Sequence, residues 1–253
     1  MLQAVQYTQL LFSLSSKMVG FIFILTCIVH YASPVIETAY GTKWKNFTNI
    51  LVDTNIISEV QNIGNKFTCL NMCLENKACV SVFFRQQHRR CQFHDVLFMS
   101  PQDGKPETGT EYYSIASDGC PSTYVHNRIL NFCYEVHFNN LDFTNGVADC
   151  NSRGDHFIAI DSQDKQDHIL KQLSASSDGK QKKYLIDGSD EANEGTWLLK
   201  DGRTMTYFAW GTDYPKNGTD KDFIVADPND QFRWGDKAGN VPKRYICERH
   251  LNV

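Results

Sequence analysis

A chain of 253 residues holds one large or two modest domains, and its 42% hydrophobic content supplies ordinary globular cores, which excludes wholesale disorder. The formal charge of −4, from 25 basic and 29 acidic residues with no block of one sign, leaves no electrostatic footprint for a phosphate backbone. Nucleic acid is therefore excluded as the expected partner.

The chain opens on a targeting signal. Lys17 precedes an apolar run over residues 18–31, then Ala32, Ser33 and Pro34, in the order of a charged region, an apolar region and a small-residue cleavage zone. The run is about 14 residues long, against the roughly 20 needed to span a bilayer. Residues 1–32 are read as a signal peptide and the product as secreted; a membrane attachment follows only if this segment is an uncleaved anchor. The extension before Lys17 is unusual for such a leader, and Met18 is an alternative initiator.

Cleavage after Ala32 removes Cys27 and leaves Cys69, Cys73, Cys79, Cys91, Cys120, Cys133, Cys150 and Cys247. An even set in an oxidising compartment implies four disulfides. The rival reading, zinc held near Cys69, Cys73 and Cys91 with His88 and His94, is uncommon on a secretory route. Asn46-Phe47-Thr48 and Asn217-Gly218-Thr219 are candidate glycosylation sequons, at Asn46 and Asn217.

In the first module, Thr68 is expected to cap a short helix over residues 69–77, which sets Cys69 and Cys73 four apart on one face. Strands follow over residues 80–84 and 91–98, joined by the polar turn RQQHRR, with a brief strand over 111–115. A helix on this hairpin can be stapled twice, by Cys73 to Cys79 and by Cys69 to Cys91, although spacing alone leaves other pairings open. The pattern C-x3-C-x5-C-x11-C over residues 45–117 resembles the core of PAN or apple domains, without the third bridge that often joins their ends. That resemblance implies a hairpin-loop module for contacts with proteins or carbohydrates, with no catalytic role.

The second module begins after a boundary between Ser117 and Cys120. Cys120 to Cys133 would staple an N-terminal hairpin. A helix is expected over residues 142–151, carrying Phe143 and Cys150, then an apolar strand over 157–160, a helix capped by Ser162 and running to about Leu173, and a strand over 184–186. Cys150 and Cys247 lie 97 positions apart, and joining them constrains the unfolded chain by about 4 to 5 kcal/mol on the loop-entropy account. Trp197, Trp210 and Trp234 are read as core anchors of a loop-rich domain.

Glu194-Gly195-Thr196-Trp197, Lys200-Asp201-Gly202, Trp210, Trp234-Gly235-Asp236 and Tyr245-Ile246-Cys247-Glu248 follow in an order that resembles a long-form C-type lectin-like domain over residues 120–249. The implied fold class is α+β: two small disulfide-stapled domains, the second with two helices and short antiparallel sheets. The bridge that relatives usually carry in the long loop has lost both cysteines, with Phe223 at one of their positions.

The resemblance also implies where sugar-binding relatives hold calcium, an ion needing six to eight oxygen ligands. The corresponding residues here are Tyr214-Pro215-Lys216, Lys221 and Gly235-Asp236. Only Asp236 suits, and two lysines repel the ion, so no primary calcium site is expected. Pro215 is expected to keep the turn role, in cis. Asp190, Glu194, Asn217 and Asp222 align with a weak accessory calcium site, in competition with a solvated acidic loop and with a glycan on Asn217. Otherwise no cofactor is expected.

Arg153-Gly154-Asp155 matches an integrin-recognition tripeptide, but the same residues read more simply as a helix end with Gly154 left-handed. No HExxH, GxSxG, phosphate loop or dinucleotide fingerprint occurs, so the chain is not expected to be an enzyme. Two functions remain: recognition of extracellular glycans or glycoproteins through Tyr214, Lys216, Asp222 and Asp236 without the calcium bridge, or a protein-protein adhesion module that binds no sugar. The domain combination suggests extracellular defence or matrix adhesion by analogy of fold.

Overall fold

The computed structural model describes residues 39–117, 119–216, 218 and 220–251. The expected signal peptide and Asn217 lie outside the described residues. Among the described residues, no helix is long and apolar enough to cross a membrane.

The first module folds as β1 (Ala39–Lys43), β2 (Ile50–Leu51), β3 (Ile56–Val60), α1 (Lys66–Glu75), β4 (Ser81–Arg85), β5 (Arg90–His94), β6 (Lys105–Pro106) and β7 (Thr110–Ser117). Five strands form an antiparallel sheet in the order β1-β7-β4-β5-β3, and β2 pairs with β6. Asn65, not Thr68, caps α1: its extended backbone lets the side chain accept the Thr68 N–H at 3.0 Å, so the helix starts three residues earlier than expected. Cys69 and Cys73 still share the buried face, bonded to Cys91 and Cys79.

The second module contributes β8 (Val125–Asn127), β9 (Phe132–Leu141), α2 (Phe143–Ser152), β10 (His156–Phe157), α3 (Gln163–Ser174), β11 (Tyr184–Ser189), β12 (Phe223–Asp227), β13 (Arg233–Lys237) and β14 (Lys243–Arg249). The sheet order is β13-β12-β11-β14-β9-β8, with β10 beside β14. The ladders are antiparallel, as expected, but for one that is parallel and pairs Tyr184 with Arg244. Ser162 caps α3 through its side chain, as expected, and Asp142, expected as the first residue of α2, instead caps it. Cys120–Cys133 closes the hairpin of β8 and β9, and Cys150–Cys247 fastens α2 to β14. With all eight of these sulfurs in disulfides, none is left for zinc at Cys91. Phe223, at the lost cysteine position, packs on Phe143 with ring centroids 4.2 Å apart.

Two expected strands end early, for different reasons. Residues 95–98 leave the ladder after β5 because the Leu97 backbone is bonded by a side chain of α3 instead: Gln172 Oε1 accepts its N–H at 2.9 Å and Gln172 Nε2 donates to its carbonyl at 2.8 Å. Residues 158–160 leave β10 because Ile158 bridges two strands, donating its N–H to the Ile246 carbonyl and accepting the Asp187 N–H.

The two modules share one core. Phe47, Phe83, Leu97 and Tyr112 of the first belong to the same buried cluster as Phe132, Tyr134, Ile169 and Trp234 of the second, and the described residues fall in one compact unit. Arg128 seals the seam. Its NH1 donates to Leu74 O at 2.6 Å, and its NH2 to Cys73, Asn76 and Cys79 carbonyls at 2.7 to 2.8 Å, satisfying the carbonyl end of α1 with a cation.

Candidate functional site

The long loop between β11 and β12 is held from beneath. Trp197 and Trp234 are buried and Trp210 packs against both, with centroids 4.9 and 5.9 Å away. This makes the tryptophans structural, as the sequence implied. Gly188 at φ 135° and Gly195 at φ 77° lie on either side of the Asp190 turn, conformations that disfavour a side chain.

The loop turns at a cis Tyr214–Pro215 bond. The next residue, Lys216, donates its backbone N–H to Asp236 Oδ2 at 2.8 Å. Asp236 is fully buried, so it shapes the loop from below and offers no surface to a ligand. Of the four residues expected to touch a ligand, it is the one the fold withdraws. Tyr214 is half-buried against Gly235, accepts a hydrogen bond from Lys237 Nζ at 2.7 Å, and carries the Lys237 and Lys216 ammonium groups 4.6 and 5.2 Å from its ring centre. Cation–aromatic attraction holds these groups together. Lys237 was not singled out in the sequence; its place two residues after Gly235 in the alternating β13 strand is the only signal.

The acidic side of the loop is built differently. Asp190 is buried, its Oδ2 accepts the Gly195 N–H at 2.9 Å, and its Oδ1 has no partner, like Oδ1 of Asp236. Burial, then the charges of Glu194 and Asp236, raise the Asp190 pKa. Burial and the charges of Asp190, Glu191, Glu194 and Asp220 likewise raise that of Asp222. Glu194 Oε1 accepts the Gly218 N–H at 3.3 Å, tying the two limbs of the loop. Among the described residues, Asp190, Glu194 and Asp222 do not converge to within 4.8 Å of one another. His137, Asp149 and Cys247 do, but that sulfur belongs to a disulfide.

The fold separates other candidates from this region. Asp155 is buried, bonded to Tyr124 and, at 2.6 Å, to Arg249, so the Arg153-Gly154-Asp155 tripeptide is not presented. Gly154 takes φ 75° just beyond α2, the helix-ending role expected of it. Asn46 is exposed.

Residues 43–117 match the PAN domain family and residues 139–249 the lectin C-type domain family. The chain is 22% identical over 139 residues to the galactose-specific lectin nattectin of Thalassophryne nattereri, covering 54% of this chain and 84% of that protein. It is 26% identical over 131 residues to a tetranectin-like protein of Carcharhinus perezii, covering 52% and 76%. The mouse scavenger receptor C-type lectin carbohydrate-recognition domain aligns at 21% identity and TM-score 0.47, over 53% of this chain and all of that domain. Both domains, in this order, are those implied by the cysteine spacing of the first module and the ordered tryptophan and glycine motifs of the second.

Proposed function

We propose that this chain, a PAN domain followed by a C-type lectin domain, is a secreted, non-catalytic recognition protein that binds glycans or glycoproteins through its long loop without a primary calcium ion. The observation that carries the reading is the commitment of Asp236. One of its oxygens is spent on the Lys216 N–H, and the chain presents cationic Lys216 and Lys221 where oxygen ligands are needed. Contact then falls to Tyr214, Lys216 and Asp222: an aromatic face, an ammonium donor and a carboxylate acceptor.

An accessory calcium ion is part of the same reading. Asp190, Glu194, Asp222 and Asn217 are oxygen donors, and the unpartnered buried Oδ1 of Asp190 supports a cation there, although the three carboxylates do not converge and would have to close around it. Calcium would offset the repulsion among these carboxylates and stiffen the loop without bridging to sugar.

Binding of the full secreted chain to an immobilised glycan panel, with calcium and with chelator, tests the proposal. Binding that survives the chelator supports direct side-chain recognition. Binding that vanishes contradicts the account of the primary site. Silence across the panel in both conditions moves the function to a protein ligand.

A further inference from the structure

A cleft of about 240 Å³ opens on a different part of the second module, between the entry to α3 and the Leu199-to-Tyr207 stretch of the long loop. Its floor is apolar, made by the buried side chains of Ile160, Leu199 and Met205. Its rim is polar: Asp161, Arg203, Thr204 and Thr206, all exposed. Tyr207 forms one wall and is fixed, its hydroxyl donating to Gln163 Oε1 at 3.0 Å and its ring set edge-on to Trp234 at 5.7 Å.

The rim groups have hydrogen-bonding capacity to spare. Arg203 is positioned by Asp201, which accepts its backbone N–H at 3.0 Å and its Nε at 2.6 Å. Its two terminal nitrogens, the Asp161 carboxylate and both threonine hydroxyls make no hydrogen bond among the described residues. Asp161 attracts Arg203 electrostatically, yet the two do not form an ion pair across the cleft. Donors and acceptors therefore face one another over an apolar floor, with room between them for a small amphipathic ring.

We propose that this cleft is a second carbohydrate subsite, taking one neutral pyranose residue whose hydroxyls donate to Asp161 and accept from Arg203 and the threonines while its C–H face lies on Met205 and Tyr207. The charge balance favours a neutral sugar: at the rim Asp161 and Asp201 face the one guanidinium of Arg203, so an acidic sugar gains no net attraction. The inference rests on the glycan reading of the chain but not on the long-loop residues that carry it. Tyr207 sits edge-on to Trp234, the neighbour of the Gly235 that Tyr214 packs against, so one aromatic cluster connects the two sites.

Amide chemical-shift mapping of the full chain with methyl mannoside, methyl galactoside and N-acetylneuraminic acid at tens of millimolar tests this. The expected result is movement of the amides at 161 and 203–207 with at least one neutral sugar. R203A and D161N, both exposed positions that should leave the fold intact, should each weaken that effect about tenfold, as for the loss of one hydrogen bond to a charged group. Shifts confined to 214–222 and 236 overturn the cleft while leaving the glycan reading standing. No shifts with any of the three sugars overturn both. A cleft that responds to the acidic sugar more strongly than to the neutral ones overturns the assignment of ligand class.

Discussion

Gln172 on α3 grips the Leu97 backbone at both its N–H and its carbonyl, so one amide side chain stands in for the neighbouring strand that residues 95–98 lack. Both partners are buried. Q172A should therefore strand two buried backbone groups and cost roughly 2 to 4 kcal/mol. Q172E keeps the acceptor but sets a carboxylate against a carbonyl, and should be worse. Urea unfolding followed by tryptophan fluorescence measures both, and wild-type stability in Q172A would show the seam is not held here.

Arg128 is expected to matter through its fork and not only its charge. R128K can reach fewer of the four carbonyls around the end of α1 and should recover only part of the roughly 2 to 3 kcal/mol lost in R128A. Denaturation of the three proteins side by side gives the ranking; equal stability of R128K and wild type would refute the bidentate account.

A buried ion pair joins α3 to the last strand. Lys165 Nζ donates to both Glu248 oxygens at 2.7 and 2.9 Å, and Glu248 also accepts the Ala159 N–H at 3.2 Å. K165A leaves a buried carboxylate without its cation and should cost about 3 to 5 kcal/mol, whereas the paired change K165M with E248L should restore most of it. A double-mutant cycle decides, and additive losses would contradict the coupling.

Acid should loosen the fold through three histidines. His94, His137 and His168 are held down to about 4, in each case first by burial, with Arg153 adding to the effect at His137. Unfolded, each titrates near ~6.5. Between these values the unfolded chain binds more protons than the folded one. Their contribution is fully present above pH ~6.5 and is lost as pH falls toward 4, by up to about 1.4 kcal/mol per pH unit for each histidine. Urea midpoints at pH 7 and pH 5 should differ in that direction; a midpoint that stays fixed would show that these rings are already solvated.

The parts legible in the sequence were those encoded locally. Ser162 stands directly before apolar periodicity and caps the helix expected of it, and the helix carrying Phe143 and Cys150 lies where expected, one residue on. The cysteine spacing carried the first domain, and the order of Trp197, Trp210, Trp234-Gly235-Asp236 and Cys247 the second. Thr68 misled because Asn65, three residues earlier, is an equally suitable capping residue and accepts the Thr68 N–H itself, and the apolar pattern that would choose between them is weak in this helix. The seam was invisible for a different reason: Gln172 and Arg128 look like ordinary surface residues until partners 75 and about 50 positions away arrive. Asp236 was legible as an oxygen donor but not as a buried one, since burial there depends on Tyr214 and Lys216 folding over it.

The shared core has a consequence for reach. β7 ends at Ser117, and Cys120 is already locked to Cys133, so the connection has almost no slack. Two ligands gripped by the separate modules would be held at one set distance and angle, with no tether to flex and search. Avidity would then depend on whether the target repeats at that spacing: a matching array would engage both faces at once, and a mismatched one would gain nothing from the second. The molecule would act as a gauge of surface spacing as well as of surface chemistry.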